Sequence, residues 1–430
     1  MGYIQRHLQE AVLQLSEEYP VLLVAGPRAS GKTSMLRMLM EMEEALPEGS
    51  MERMPHKGTH HARSYVSLDN LRERELAQND PEKFLQMHPT PVLISEIQYA
   101  PELLVYIKKI LTKKTAAGSY WLTASHLYET MDAAYKALGE SVALLNLFPY
   151  SRAEISGVDA PPFSVKEYKE KETGTEKPFV DATALFNHIW RGCMPELIDK
   201  IAGSEDAQKD WDEYYAAYLE TCIRRDVRDI GGAVEPVKFM RFISCVAARA
   251  GQLLNVKAIA QGAEIDQVTA KNWLGILANI GFIFYLHPIA SDALKRAVKT
   301  PKLYFYDTGL VCYLTKWTSP ETARFGAMAD QLFENYVVSE IVKGYSHHGA
   351  VPRISYYRDR DGAEINLIFE EDKFYPVQIK LTGRPVKRMT SAFAMLEKAG
   401  LDTDAGAVIC LADEKSEIAP ELISIPVGEV

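Results

Sequence analysis

Residues 21–33 read Val-Leu-Leu-Val-Ala-Gly-Pro-Arg-Ala-Ser-Gly-Lys-Thr, an apolar run that passes directly into the spacing G-x-x-x-x-G-K-T. Five consecutive apolar residues suit a strand covered on both faces. Gly26 and Gly31 let the backbone curl so that successive N–H groups converge on an anion. Ser30 adds a backbone donor, Lys32 reaches the outer phosphates of a nucleotide, and the Thr33 hydroxyl is placed to ligate Mg²⁺. The stretch Ser34-Met35-Leu36-Arg37-Met38-Leu39 continues as an amphipathic helix whose N-terminal dipole favours the same anion. The expected ligand is ATP with Mg²⁺.

Outward from this loop, residues 1–157 alternate apolar strands with amphipathic helices, the rhythm of a three-layer parallel sheet. Strands are expected at Val21–Ala25, Tyr65–Leu68, Val92–Ser95, Tyr120–Thr123 and Val142–Leu147. Residues 158–180 form a charged stretch, Asp159 to Lys177, read as a solvated linker. Helical patterns dominate the module 181–320, and one of them, Trp211 to Ile230, carries Arg224, Arg225 and Asp226 near its end. Residues 321–430 open with a helix (Phe333–Lys343) and continue with strands at Ile354–Arg358, Glu364–Glu370 and Phe374–Leu381. The fold class is α/β.

Composition narrows the function classes. A chain of 430 residues has ample length for several domains. Its formal net charge of −10 argues against a protein permanently coated with DNA. Five scattered cysteines without C-x-x-C spacing read as reduced thiols and offer no zinc site. The beginning of the chain lacks a secretory leader pattern, and the longest apolar run, Ile280 to Leu286, is too short for a bilayer. A cytoplasmic protein with no membrane partner is expected.

Hydrolysis at a phosphate loop needs carboxylates at the end of a neighbouring strand, one to orient Mg²⁺ and one to orient water. Val92-Leu93-Ile94-Ser95-Glu96 is the candidate. Glu96 is placed to polarise water, whereas Ser95 can only bond a Mg²⁺-bound water without bringing charge. Asp69 reads as a loop cap. Ser125, after the strand Tyr120-Trp121-Leu122-Thr123, lies where a polar group senses the outer phosphate. His126 reads as a surface hydrogen-bonding residue.

In the middle module, Val256-Lys257-Ala258-Ile259-Ala260-Gln261, a turn, and a helix from Asp266 to Ala278 make a helix-turn-helix pattern with Asp266 as N-cap. Phe282–Leu286 and Leu303–Tyr306 read as the strands of a wing, so a winged helix is expected. Its second helix offers Gln267, Thr269, Lys271 and Asn272, and Lys295, Arg296, Lys299 and Lys302 make the wing loop basic, enough for a few phosphate contacts. Trp273 sits at core spacing. DNA contact and a purely structural role both stay open.

The chain resembles the AAA-type ATPases of bacteria and archaea that carry an appended domain of unknown function. The resemblance rests on the phosphate loop, Ile94-Ser95-Glu96-Ile97-Gln98-Tyr99-Ala100-Pro101, Leu122-Thr123-Ala124-Ser125 and Leu145-Asn146-Leu147-Phe148-Pro149-Tyr150-Ser151. Arg224-Arg225-Asp226-Val227-Arg228-Asp229 and Pro301-Lys302-Leu303-Tyr304-Phe305-Tyr306-Asp307-Thr308-Gly309-Leu310 extend it. It implies an Asp where this chain has Ser95, and a Gly-Arg where this chain has Glu140 and Ser141. Arg224 or Arg225 is then either a substitute for the missing arginine or an ion-pair partner of Asp226 and Asp229. The resemblance also implies a restriction-endonuclease-like fold for the last domain, with Glu334 on a helix, an Asp at position 366, a Glu at 378 and Lys380. Here positions 366 and 378 are Asn366 and Gln378. An amide matches a carboxylate in size but brings no charge to Mg²⁺, so this degenerate site is not expected to cleave nucleic acid.

The resulting expectation is an ATP-binding AAA-type protein with weak or absent hydrolysis, in which nucleotide occupancy biases the winged-helix and nuclease-like domains. The alternative is a non-catalytic interaction or DNA-binding protein in which nucleotide is structural. Lys380, Arg384, Lys387 and Arg388 form the candidate platform for a DNA or protein partner, and homo-oligomers are compatible with the family pattern.

Overall fold

The computed structural model describes residues 3–45, 62–111, 116–170, 181–231, 234–289 and 298–430. Lys295 and Arg296, and the linker beyond residue 170, lie outside them. Strands β1 (Val21–Ala25), β2 (Ser64–Ser67), β3 (Val92–Ser95), β4 (Tyr120–Ala124) and β5 (Val142–Asn146) form a parallel sheet in the order β2-β3-β4-β1-β5. Every residue of β1, β3 and β4 is buried, which is why their sequences run apolar without alternation. Val21, Leu23, Ile94 and Leu122 meet Phe84, Leu103, Ile107 and Leu138 on one face. Leu22, Val24, Leu93 and Trp121 meet Leu8, Val12, Met35 and Leu36 on the other. From β1 the chain travels to the far edge at β2, works back to β4, and crosses to β5 on the opposite side. That reversal opens a crevice at the carboxyl end of β1, where α/β sheets bind ligands.

The middle module is helical, with the helix Ala207–Cys222 continuing through a π-helical turn, Ile223–Val227. Two further helices, Val256–Ala263 and Gln267–Asn279, are capped by Asn255 and Asp266, the second as the spacing suggests. A small antiparallel sheet flanks these helices in the chain, made of β6 (Gln252–Leu253) before them and β7 (Ile283–Leu286) and β8 (Lys302–Phe305) after them, in the order β6-β8-β7. Trp273 packs edge-on against Phe239 and Phe242 at 5.1 and 5.3 Å. Lys302 corrects the reading of a basic wing loop: it is buried in β8 and neutralised by carboxylates.

The last domain sets the helix Ala329–Ser346 against a six-stranded sheet. Its strands are β9 (Ile354–Arg358), β10 (Glu364–Glu370), β11 (Phe374–Ile379), β12 (Gly406–Cys410), β13 (Ser416–Ala419) and β14 (Leu422–Pro426), in the order β13-β14-β12-β11-β10-β9. The described part of the charged stretch is also corrected. Val165–Glu170 is a helix lying on this domain, with Lys166 on Asp372 at 2.8 Å and Lys169 on Asp404 at 2.5 Å. One apolar cluster runs from Phe148 through the helical module to Ile425, so the modules share a core. Phe148 stacks on Tyr306 at 3.8 Å across the boundary. Among the described residues no helix is long and apolar enough to cross a membrane.

Candidate nucleotide-binding site

The loop leaving β1 is compressed against its neighbours. A Cβ on residue 26 would lie 2.0 Å from the Leu147 carbonyl oxygen, so only glycine fits as β5 passes. The loop turns through left-handed backbone at Ala29 and Gly31, with φ of 61° and 93°, and then enters the helix Lys32–Ala45. Lys32 is buried and donates to the Gly26 and Pro27 carbonyls at 2.8 Å each, with Ser125 Oγ at 3.4 Å. Burial lowers its pKa to about 8, the nearby Glu96 only partly opposing this. The Ser30 hydroxyl is buried under the loop without a hydrogen-bond partner, and Thr33 is half-buried at the helix start. A buried ammonium bonded only to neutral oxygens, beside an unpaired hydroxyl, fits an anion such as a phosphate tail.

Glu96 follows β3 in left-handed conformation, φ 61° and ψ 48°, which costs a non-glycine residue ~1–3 kcal/mol. The turn aims its carboxylate at the loop. Oε1 accepts from Ser125 Oγ at 3.1 Å and Oε2 from Gln98 Nε2 at 2.6 Å. Lys32, Ser125 and Glu96 thus form one contact chain at the crevice. Ser95 is buried, with Oγ 3.3 Å from the Tyr65 hydroxyl. Ser141 accepts from Lys108 Nζ at 3.3 Å.

The helical module closes the other side. Arg28, on the loop, makes a two-pronged bond to Asp226 through Nε (2.9 Å) and Nη2 (2.8 Å), and Nη2 also donates to the Tyr99 hydroxyl at 3.2 Å. Tyr218 donates to the Arg28 carbonyl at 3.4 Å. A Cβ on residue 281 would lie 2.7 Å from Pro27 Cγ, so the module touches the loop through a glycine. From the N-terminal side, the buried Arg6 donates to the Ser30 carbonyl at 2.7 Å, to the Phe148 carbonyl at 2.7 Å and to Glu154 Oε1 at 3.0 Å. Arg6, Arg28 and the pairing of Asp226 were missed in the sequence, although Arg28 lies inside the quoted loop and Asp226 inside a quoted motif.

Other expectations shift. Arg224 pairs with Glu220 at 2.6 Å, and Arg225 with Asp69 at 3.3 Å, both at exposed positions; neither pairs with Asp226 or Asp229 as read from the sequence. Asp69 is therefore an ion-pair partner. His126 is buried rather than at the surface, its Nε2 3.8 Å from Asp226 Oδ1.

In the last domain, Glu334 and Asn366 are brought together, Asn366 Nδ2 donating to Glu334 Oε2 at 2.8 Å. Asn366 Oδ1 accepts from the Ile379 amide at 3.0 Å, so this side chain continues the β10–β11 ladder. Gln378 is buried with Oε1 unpaired, and Lys380 is half-buried. A cation already occupies the carboxylates: Lys302 Nζ bonds Glu334 Oε1 and lies 2.8 Å from Glu364 Oε1, while Arg358 holds Glu364 Oε2 at 2.8 Å. These charges hold the Glu364 carboxyl below its ordinary range, outweighing burial, which alone would raise it. Among the described residues no group of three or more His, Cys, Asp or Glu side chains could hold a metal ion.

Residues 18–156 match the family described as an AAA domain. With the parallel sheet and the loop, this makes them an AAA-type P-loop domain of ATPase-like fold. Residues 182–321 match a domain of unknown function, DUF8612, and residues 329–429 match another, DUF4143. The chain is similar to an uncharacterized protein of Mycobacterium tuberculosis and one of Mycobacterium bovis, each 21% identical over 415 residues covering 96% of this chain and 81% of theirs. Among solved structures it is similar to a Walker-type ATPase of Pyrococcus abyssi (15% identity, TM-score 0.41, covering 73% of this chain and 96% of that one). It is also similar to AMPPCP-bound DnaA from Aquifex aeolicus (13% identity, TM-score 0.30, covering 63% and 85%).

Proposed function

We propose that the chain binds ATP at the crevice beside β1, hydrolyses it slowly or not at all, and passes nucleotide occupancy to the helical and C-terminal modules in the cytoplasm. The observation that carries this reading is the chain Lys32–Ser125–Glu96, in which one hydroxyl lies 3.4 Å from an ammonium and 3.1 Å from a carboxylate at the mouth of the loop. Gly26, Ser30, Gly31 and Lys32 hold the phosphates, Ser125 bonds the outermost one, and Glu96 orients the attacking water. Thr33 and Ser95 would hold Mg²⁺, which neutralises phosphate charge when bound. Each of these two supplies a neutral hydroxyl, and no arginine stands at position 141. Charge stabilisation of the reacting phosphate is therefore weak while ground-state binding is intact.

The winged-helix and nuclease-like identities belong to the same proposal. The Lys302 ammonium among Glu334, Glu364 and Asn366 supports a nuclease-like site converted into a structural ion cluster, leaving the exposed Arg384, Lys387 and Arg388 for a DNA or protein partner. The test is phosphate release with Ser95→Asp. Restoring the missing carboxylate is expected to raise turnover ~10–100-fold, the usual effect of such a ligand-orienting group. An unchanged rate would show that the defect is elsewhere and remove Ser95 from the account.

A further inference from the structure

Arg28 stands on the phosphate loop itself, yet its guanidinium is committed to Asp226 of the helical module. Three observations make that commitment a competition. First, Nη2 lies 3.9 Å from Glu96 Oε2, so the fork already faces the side of the crevice where Glu96 and Ser125 meet. Second, Asp226 is buried while Arg28 is partly open, with side-chain exposures of 1% and 15%, so the arginine is the partner with more room to leave the pair. Third, His126 Nε2 is buried without a hydrogen-bond partner, 3.8 Å from Asp226 Oδ1. A buried imidazole nitrogen beside a carboxylate is a hydrogen-bonding group within reach of Asp226 when the guanidinium leaves.

We propose that Arg28 is the residue that distinguishes a nucleoside triphosphate from a diphosphate: the terminal phosphate takes the Arg28 fork from Asp226, and Asp226 turns to His126. A guanidinium binds phosphate and carboxylate oxygens through the same two-pronged geometry, so one anion replaces another without leaving the cation unpaired. A diphosphate does not extend to the Glu96 side of the crevice and leaves the Arg28–Asp226 pair closed. The element that reads the exchange is the π-helical turn Ile223–Val227, which carries Asp226. Such a turn is an irregular insertion in a helix, able to relax its register when the bond that anchors it is released. The helical module would thereby register triphosphate and diphosphate as different states.

This inference rests on ATP binding at the loop, and the test separates the two. Titration calorimetry of the full chain with ATP and with ADP is run on the wild type, Arg28→Met and Asp226→Asn. Arg28→Met is expected to weaken ATP about tenfold, the loss of one charge-assisted contact, while changing ADP less than about twofold. Asp226→Asn, which removes the competing charge, is expected to tighten ATP severalfold. Hydrogen exchange on the unmutated protein gives a second readout that no folding defect can confuse: ATP speeds exchange across residues 223–231 and ADP does not. Equal effects of Arg28→Met on both nucleotides, or identical exchange with both, overturn the Arg28 assignment while leaving nucleotide binding in place. Failure of the wild type to take up either nucleotide overturns both.

Discussion

The Arg6 guanidinium donates to the Ser30 carbonyl of the phosphate loop at 2.7 Å. Its other nitrogens reach Phe148 and Glu154, and Glu154 Oε2 lies 3.1 Å from His347 Nδ1 on the segment that ends the C-terminal domain's first helix. One buried side chain therefore joins the loop to the far domain. Removing one member of a buried ion pair leaves the other charge uncompensated. Arg6→Met is expected to destabilise the folded chain by ~3–5 kcal/mol, read from chemical denaturation. A loss under about 1 kcal/mol, the range of an exposed pair, would contradict the assignment.

The same network sets an acid limit. His347 Nε2 accepts from the Phe148 amide at 3.3 Å and faces Arg6 Nη2 at 3.4 Å, so the proton of the neutral ring sits on Nδ1, toward Glu154. Burial holds the His347 pKa below its ordinary 6.5 despite Glu154. The unfolded chain then takes up the proton first, so this contribution is complete above about pH 6.5 and is lost as the pH falls through the folded value. Glu154 is held well below its ordinary range because Arg6 and His347 outweigh burial, which alone would raise it. Its contribution disappears at still lower pH. His347→Gln is expected to flatten the decline of stability just below pH ~6.5 in a melting series; an unchanged slope would contradict this.

Lys302 tests the ion cluster in the last domain. Lys302→Met removes the cation shared by Glu334 and Glu364, leaving Arg358 on Glu364 and only the neutral donors Tyr304 and Asn366 on Glu334. The expected cost is about 3 kcal/mol in urea unfolding, with no gain of Mg²⁺-dependent DNA nicking. Nicking by the unaltered protein, lost in Lys380→Ala, would instead revive a working nuclease.

Lys32 predicts a pH dependence of nucleotide affinity. Its pKa of about 8, lowered by burial, rises when phosphate supplies a negative partner. ATP affinity is then flat below pH ~8 and falls as the pH rises above it, by up to about tenfold per unit, because binding requires the protonated amine. Titrations from neutral to alkaline pH check the sign; affinity that rises with pH would refute it.

The phosphate-loop domain was largely legible because its signals are local. A buried strand such as Val21–Ala25 announces itself by an unbroken apolar run, and the loop by its glycine spacing. What escaped reading depends on residues far apart in the chain. Nothing near Arg28 points to Asp226, 198 residues away, nor near Arg6 to Glu154, 148 residues away. Lys302 looked like a loop cation because it shares a stretch with other basic residues; its partners Glu334 and Glu364 appear only when β8 is placed beside the helix Ala329–Ser346 and β10. The helix Val165–Glu170 read as solvated because its charges were counted without their partners on the C-terminal domain.

The most direct measurement is calorimetric titration of the full chain with ATP and Mg²⁺, repeated on Lys32→Ala. The account predicts saturable uptake by the wild type and none by the variant, since the buried ammonium is the loop's one lysine and its removal strips the phosphates of their cation. No uptake by the wild type, or equal uptake by Lys32→Ala, would contradict it.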